Sequence, residues 1–192
     1  MNSQSEAAAV LRFWFGEPPQ RGTRLKRWFD KDLSLDDDIR VRFLPLYEVL
    51  AAGGRREWLE DAQSCLARIV VLDQFPRNMF RGSARAFATD GLALEAARHA
   101  LAQGHDRAML LVEKLFAYLP FEHSESLEDQ RLACELTRPL EAFPETADAY
   151  RYALAHLQII ERFGRFPHRN AALGRESTPE ELEFLKQPGS SF

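Results

Sequence analysis

The side chains best suited to chemistry lie in three short polar clusters, each at the end of a predicted helix or in a turn. The first is "DQFPRN", where Asp73, Arg77 and Asn78 flank a Phe-Pro pair and Arg81 follows closely. Carboxylate and guanidinium groups four residues apart can pair on a helix. The cluster is therefore either a corner that satisfies its own helix-end groups, or a pocket wall in which Arg77 and Arg81 face an anion.

The second cluster is an acidic turn that contains Glu122, His123 and Glu125. Ser124 or Ser126 can serve there simply as a helix N-cap. In the functional interpretation, His123 is a general acid or base whose pKa the neighbouring carboxylates raise. These side chains can also ligate a metal. Because the chain has no H-E-x-x-H motif and no second matching cluster, we predict no metal site.

The third cluster is "GRFPHRN" with the arginine just before it. Arg162 is explained by the helix dipole, which favours positive charge at a helix C-terminus. Arg165, His168, Arg169 and Asn170 extend past that helix end, so the dipole explains them less well. Arginine side chains in such a group are suited to binding a carboxylate or a phosphate.

The first and third clusters repeat one pattern, Phe-Pro followed by Arg-Asn at a helix exit. Antiparallel helical hairpins bring alternate helix ends to one edge of a domain. We therefore predict that both Phe-Pro corners face a common cleft, with the acidic turn that contains His123 opposite. In the alternative interpretation, the two corners only brace each other through hydrogen bonds.

The composition is that of one ordinary globular domain. The chain has 192 residues, 45% hydrophobic and 28% charged, with a net charge of −4. That charge gives no global reason to bind nucleic acid. The two cysteines, in apolar surroundings, are too few for a disulfide framework or a zinc cluster. No secretory leader and no apolar stretch near 20 residues is visible, so we expect a cytoplasmic protein without a membrane segment.

The hydrophobic spacing is helical throughout. It predicts about eight helices, short loops and no sheet, arranged as a bundle or as a stack of helical hairpins. One helix is expected to run from about Glu57 to Gln74 and to end before Pro76. Thr89 and Asp90 are expected to cap a later helix. We predict one all-α domain over residues 1–187 and a loose tail over 188–192.

Three long motifs carry a family resemblance. They are "LDQFPRNMFRGSARAFATD", "YLPFEHSES" and "ERFGRFPHRNAALGRESTPEE", and the segments "LRFWFG" and "RWFDKD" agree with them. Together they resemble the bacterial family known as domain of unknown function 924 over nearly the whole chain. The resemblance implies a tetratricopeptide-like stack of antiparallel helical hairpins. It implies no activity.

Three functions remain open from the sequence. The first is a protein that binds a small anionic molecule or an acidic peptide end in an Arg/His/Asn-lined cleft. The second is a hydrolase-type enzyme that uses His123 with Asp73 or Glu125. The third is a structural interaction module. The chain has no nucleophile elbow, P-loop or dinucleotide fingerprint, and we predict no cofactor. His156, inside a long amphipathic helix, is predicted to be a packing residue.

Overall fold

The computed structural model describes residues 3–28 and 30–191, and these residues form eight α-helices, short 3₁₀ turns and no β-strand. The prediction of an all-α chain with about eight helices is confirmed for this part of the molecule. The helices are α1 (Ser3–Phe15), α2 (Leu33–Ala51), α3 (Ala62–Ile69, continued by the π-helical turn Val70–Gln74 and by Phe75–Met79), α4 (Asp90–Ala102), α5 (Leu111–Glu122), α6 (Leu127–Thr137), α7 (Ala149–Phe163) and α8 (Pro179–Phe184).

Aromatic side chains fill the centre of the core. The Trp14 ring lies edge-on to both Phe75 and Phe116, with ring centroids 5.6 Å apart in each pair. Trp28 meets Phe116 at 4.8 Å, also edge-on. Such edge-to-face pairs add to the stabilisation that burial provides. Phe75, from the first Phe-Pro corner, thus lies in the main core, whereas Phe166, from the second, is fully buried in a smaller cluster beside α7.

Helix α3 begins later than the sequence pattern predicts. Its N-cap is Asp61, whose side chain accepts hydrogen bonds from the backbone N–H groups of Gln63 and Ser64. An aspartate in that position satisfies donors that a helix start leaves free. The residues from Arg56 to Leu59 form a separate 3₁₀ turn. The predicted start near Glu57 is therefore wrong by one short turn.

Helix α3 also ends later than predicted, because it passes through Pro76. The π-helical turn Val70–Gln74 comes just before the proline, and the Phe75 N–H donates to the carbonyl of Val70. Pro76 consequently lies in the first turn of the segment Phe75–Met79. Proline is tolerated in a first helical turn, where its missing N–H leaves no gap in the hydrogen-bond ladder.

Side chains complete the hydrogen bonding around this π-helical turn. The Thr89 hydroxyl donates to the carbonyl of Leu72 at 2.6 Å. Arg77 Nη1 donates to the carbonyl of Asp73, also at 2.6 Å. Thr89 is the N-cap residue of α4, as predicted, but its side chain makes no cap hydrogen bond to that helix. Its hydroxyl instead supports the helix end that carries the first Phe-Pro corner.

Neighbouring helices pack in sequence order over the second half of the chain, α4 on α5, α5 on α6 and α6 on α7. Helix α3 is central, since it contacts α1, α2, α4 and α5. Among the described helices, none is both long and apolar enough to cross a lipid bilayer. Near the end of the chain, the Ser190 hydroxyl donates to the carbonyl of Leu185 at 3.2 Å. The division into a domain and a loose tail stays a prediction.

Candidate functional site

A cleft of ≈ 670 Å³ opens where the C-terminal ends of α3 and α5 meet α7 and the turn that follows α7. Apolar side chains of Trp28, Phe87, Leu115 and Leu119 line part of it. Charged, amide and histidine side chains line most of the rest. Seven of the eleven residues predicted for the site are among its lining residues: Arg77, Asn78, Arg81, Glu122, His123, His168 and Arg169.

Asp73 and His123 form a hydrogen-bonded pair at this cleft. His123 Nδ1 lies 2.8 Å from Asp73 Oδ1. Gln74 Nε2 donates to the other carboxylate oxygen at 2.6 Å. Burial alone would raise the pKa of Asp73, but Arg77 and His123 outweigh it and hold that pKa well below its usual range. Asp73 is therefore a carboxylate, so Nδ1 of His123 donates and Nε2 is left as the acceptor nitrogen.

The pKa of His123 is lowered, which reverses the expectation from its acidic neighbours in the sequence. Burial is the largest cause, and the charge of Arg77 adds to it. The opposing effect of Asp73 is smaller. Neighbours in sequence do not decide the shift, because Glu122 is uncharged and Glu125 is paired elsewhere, as described below. His123 is thus a neutral imidazole at pH 7, with a carboxylate on one nitrogen and a basic second nitrogen.

The two Phe-Pro corners meet at Asp90. Arg77 donates through Nη1 and Nη2 to Asp90 Oδ1 and Oδ2, at 2.9 and 3.0 Å. Arg169 donates through Nη1 to Oδ2 at 3.2 Å. The guanidinium carbon of Arg169 lies 4.8 Å from the ring centroid of Phe87 and 4.5 Å from that of Phe166. Burial lowers the pKa of Arg169 to about 10, so the side chain keeps its charge at pH 7.

Glu122 is a buried carboxyl beside the same cleft, with only 1% of its surface exposed. Neither of its carboxyl oxygens accepts a hydrogen bond from the described residues. Burial, then the charges of Asp73 and Asp148, raise the pKa of Glu122 to about 8. His156 Nδ1 lies 3.6 Å from Oε2 and donates to the carbonyl of Tyr152 at 2.8 Å. Glu122 is therefore a neutral acid near neutral pH.

His156 is neutral as well. Burial is the main cause that lowers its pKa to about 3. Its ring packs edge-on against Phe166, with centroids 5.6 Å apart, which agrees with the predicted packing role. It also lines the cleft, where its ring centroid is 6.1 Å from that of His123. Sequence reasoning left it out of the site because a single histidine on an amphipathic helix resembles a core residue.

Besides Asp73, which is fully buried, three predicted site residues do not line the cleft. Glu125 accepts hydrogen bonds from Arg175 and from the backbone N–H of Phe166, at 2.7 to 2.9 Å. Arg165 pairs with Glu181 at 2.7 Å, and Asn170 accepts from Arg175 Nε at 2.9 Å. This network fixes the turn that presents His168 and Arg169 to the cleft.

Two lining residues of the first cluster are also paired. Asn78 Nδ2 donates to Asp36 Oδ1 at 2.8 Å, and Arg81 Nη2 donates to the same oxygen at 2.9 Å. Asp36, in the first turn of α2, anchors that edge of the cleft. Within the described residues, no group of three or more His, Cys, Asp or Glu side chains is arranged to hold a metal ion.

Asp90 and Phe87 are the most consequential residues that sequence reasoning left out of the site. Asp90 follows a threonine at a predicted helix start, so the pattern indicates a cap rather than a partner for distant arginines. The signal that could have found both residues is the long motif "LDQFPRNMFRGSARAFATD", which continues as far as Asp90.

The helical fold has a counterpart among solved structures. A solved structure, "Structure of Protein of Unknown Function ATU0120 from Agrobacterium tumefaciens", is similar to this chain with a TM-score of 0.87 and 42% sequence identity. The match covers 96% of this chain and 99% of that one. A comparison with curated proteins yields no match. Residues 10–189 match the family described as "Bacterial protein of unknown function (DUF924)". The chain therefore belongs to the bacterial DUF924 family.

Proposed function

We propose that the chain is a hydrolase-type enzyme in which His123 is the general base and Asp73 orients it. The observation that carries this proposal is the 2.8 Å hydrogen bond between His123 Nδ1 and Asp73 at an open cleft. A carboxylate on Nδ1 holds the imidazole in one tautomer and stabilises the imidazolium that forms during reaction. Both features are what a general base requires.

The reaction follows from these two groups. His123 Nε2 takes one proton from a water molecule, and the resulting hydroxide adds to the electrophilic carbonyl carbon of the substrate. The imidazolium then returns its proton to the leaving group as the bond to that group breaks. Water is consumed, the enzyme regains its starting protonation state, and no oxidant or cofactor is needed.

Activity assays on generic substrates test the proposal. Purified protein is screened against ester, amide, lactone and phosphoester substrates, and His123→Ala and Asp73→Asn are compared with it. Loss of a general base typically lowers kcat by roughly 10²–10⁴-fold. His105→Ala is the matched control, because His105 bonds the carbonyl of Leu59 and does not line the cleft. Turnover that survives in His123→Ala would refute the proposal.

A second candidate is a binding protein for a small anionic molecule or an acidic peptide end. Arg169 favours it, because this guanidinium faces the cleft and its Nε makes no hydrogen bond to the described residues. The discriminating measurement is turnover. A ligand that binds without chemical change, in a protein inert toward the whole substrate panel, would favour the binding protein over the enzyme.

The purely structural alternative is weaker. It requires the polar clusters to be consumed by internal hydrogen bonds without leaving a cavity. Glu125, Arg165 and Asn170 meet that description, whereas His123 and Arg169 line an open cleft. The tetratricopeptide-like stack remains part of the proposal, and it is supported by the packing of successive helices from α4 to α7.

A further inference from the structure

Arg169 has spare hydrogen-bonding capacity at a fixed position. Its side chain is held between the rings of Phe87 and Phe166, and only 6% of the residue is exposed. Of its three nitrogens, only Nη1 donates a hydrogen bond to the described residues, to Asp90 at 3.2 Å. By contrast, Arg77 commits both of its terminal nitrogens to Asp73 and Asp90.

A buried charge whose hydrogen-bond donors are unused destabilises the folded protein unless a bound partner accepts hydrogen bonds from those donors. The cleft beside Arg169 provides the room for that partner. Because a guanidinium presents its donors in a flat fork, its best match is a planar group with two acceptor oxygens.

The charges around Arg169 select the kind of anion. The two arginines, Arg77 and Arg169, are balanced by two carboxylates, Asp73 and Asp90. The cluster therefore has one guanidinium edge to offer and no surplus of positive charge. A single carboxylate matches this edge with its two coplanar oxygens, whereas a phosphate dianion would bring a second negative charge that neither Arg77 nor Arg169 is free to balance.

Apolar side chains define the other part of the ligand. Trp28, Phe87, Leu115 and Leu119 line the same cleft. An ion alone would leave those surfaces in contact with water, whereas a hydrocarbon or aromatic portion would bury them favourably.

We infer that Arg169 binds the carboxylate of the ligand, and that the ligand is a small organic acid with one carboxylate and an apolar portion. In deepening the proposed function, the inference takes this ligand to be the substrate of that same cleft. Its binding step does not require the His123 chemistry, so the two claims can fail separately.

Calorimetry with matched probes tests the inference on the whole chain. Phenylacetate and hexanoate are compared with their amides, with acetate and with phenyl phosphate. We expect each apolar acid to bind roughly tenfold to a hundredfold more tightly than its amide, and more tightly than acetate or phenyl phosphate. Equal affinity for acid and amide, tighter binding of phenyl phosphate, or no binding of either apolar acid at millimolar concentration would overturn the inference.

Variants locate the carboxylate. Arg169→Gln should abolish the preference for acid over amide, and Arg169→Lys should restore part of it. Arg165→Gln is the matched control, since Arg165 lies in the same turn but pairs with Glu181 outside the cleft lining. An unchanged preference in a folded Arg169→Gln would overturn the assignment. The comparison of acid with amide on the unmodified protein decides the ligand class even where a variant does not fold.

His123→Ala separates this inference from the proposed enzyme. If it keeps the acid-over-amide preference while turnover disappears, both claims stand. If the unmodified protein shows that preference but no turnover on carboxylate-bearing esters and amides, the enzyme proposal fails and the ligand class stands. Turnover that does not depend on Arg169 would instead overturn the ligand assignment and leave the enzyme proposal standing.

Discussion

Arg77 and Arg169 donate hydrogen bonds to the same oxygen, Oδ2 of Asp90, at 3.0 and 3.2 Å. They lie on opposite sides of Asp90 in the sequence, 13 and 79 residues away. Each arginine belongs to one of the two Phe-Pro corners. The repeated motif therefore produces two guanidinium groups that share one carboxylate, and this shared ion pair joins the two halves of the cleft.

Asp90→Asn tests how much this shared ion pair stabilises the folded protein. The substitution removes the only negative charge that both arginines contact among the described residues, and it leaves two like charges close together. Breaking a buried pair costs about 3–5 kcal/mol. Because one fifth of the Asp90 side chain is exposed, we expect a smaller loss, about 2–3 kcal/mol. Urea unfolding of the variant and the unmodified protein measures it.

Asp38→Asn is the control for this prediction. Asp38 pairs with Arg42 at 2.8 Å, but about half of each side chain is exposed. Exposed pairs contribute roughly 0–1 kcal/mol. Equal destabilisation by the two substitutions would mean that Asp90 acts as an ordinary surface charge.

Much of the fold is predictable from this sequence, because the signals that define helices are local. The spacing of apolar residues, together with the glycine and proline residues that end helices, predicts about eight helices. The error at Pro76 shows the limit of such signals. Whether a helix stops before a proline depends on the partners that its free carbonyls find, and the partner of Leu72 is Thr89, 17 residues away.

Thr89→Val tests that partnership. It removes the hydroxyl that donates to the buried carbonyl of Leu72 and keeps the side-chain shape. An unsatisfied buried acceptor costs about 1–3 kcal/mol, and we expect a loss of that size in urea unfolding. Thr23→Val, at an exposed threonine that donates to the carbonyl of Gln20, should change stability by less than about 0.5 kcal/mol. Similar effects at both positions would contradict the role given to Thr89.

Two cleft histidines should make the fold sensitive to mild acid. Burial is the main cause that lowers the pKa of His156 to about 3 and that of His168 to about 4. In the unfolded chain both titrate near 6.5. Below pH 6.5 these histidines bind protons in the unfolded state but stay neutral in the folded state. Their stabilising contribution to the free energy of unfolding is therefore complete above pH 6.5 and is lost as the pH falls.

The corresponding measurement is the slope of unfolding free energy between pH 6.5 and 5. Each such histidine adds a slope that approaches 1.4 kcal/mol per pH unit. His156→Gln should flatten the curve in that window, and His168→Gln should do so to a similar degree. A slope that neither substitution changes would show that these side chains ionise alike in both states.

The buried carboxyl group of Glu122 should have the opposite effect, so that its contribution to stability declines as the pH rises. Its pKa is raised to about 8 by burial and by Asp73 and Asp148, whereas an unfolded glutamate titrates near 4.3. Between those values the folded state holds a proton that the unfolded state has lost. Stability from this group is therefore complete below about pH 4.3 and declines as the pH rises toward 8.

Glu122→Gln keeps the side-chain shape and removes the titration. Its unfolding free energy relative to the unmodified protein should increase from pH 5 to pH 8, with a slope of up to about 1.4 kcal/mol per pH unit. A pH-independent difference between the two proteins would contradict the buried neutral acid.

The candidate site was only partly predictable, for a reason that Asp90 and His156 illustrate. Residue type and helical spacing describe a helix face, and on that basis one residue is a cap and the other a packing histidine. Their roles come from contacts with residues far away in the chain, such as Arg169 and Glu122. The polar corners were visible because their residues are crowded together in sequence.

The π-helical turn Val70–Gln74 makes the cleft depend on residue spacing as well as on residue identity. A π-helical turn holds about one more residue than an α-helical turn. If the same residues instead formed a regular α-helix, everything after the turn would be rotated by about 100°. Arg77 would then turn away from Asp90 with every site side chain still present. A relative with the same number of residues here but a regular helix would keep the site residues and lose their geometry.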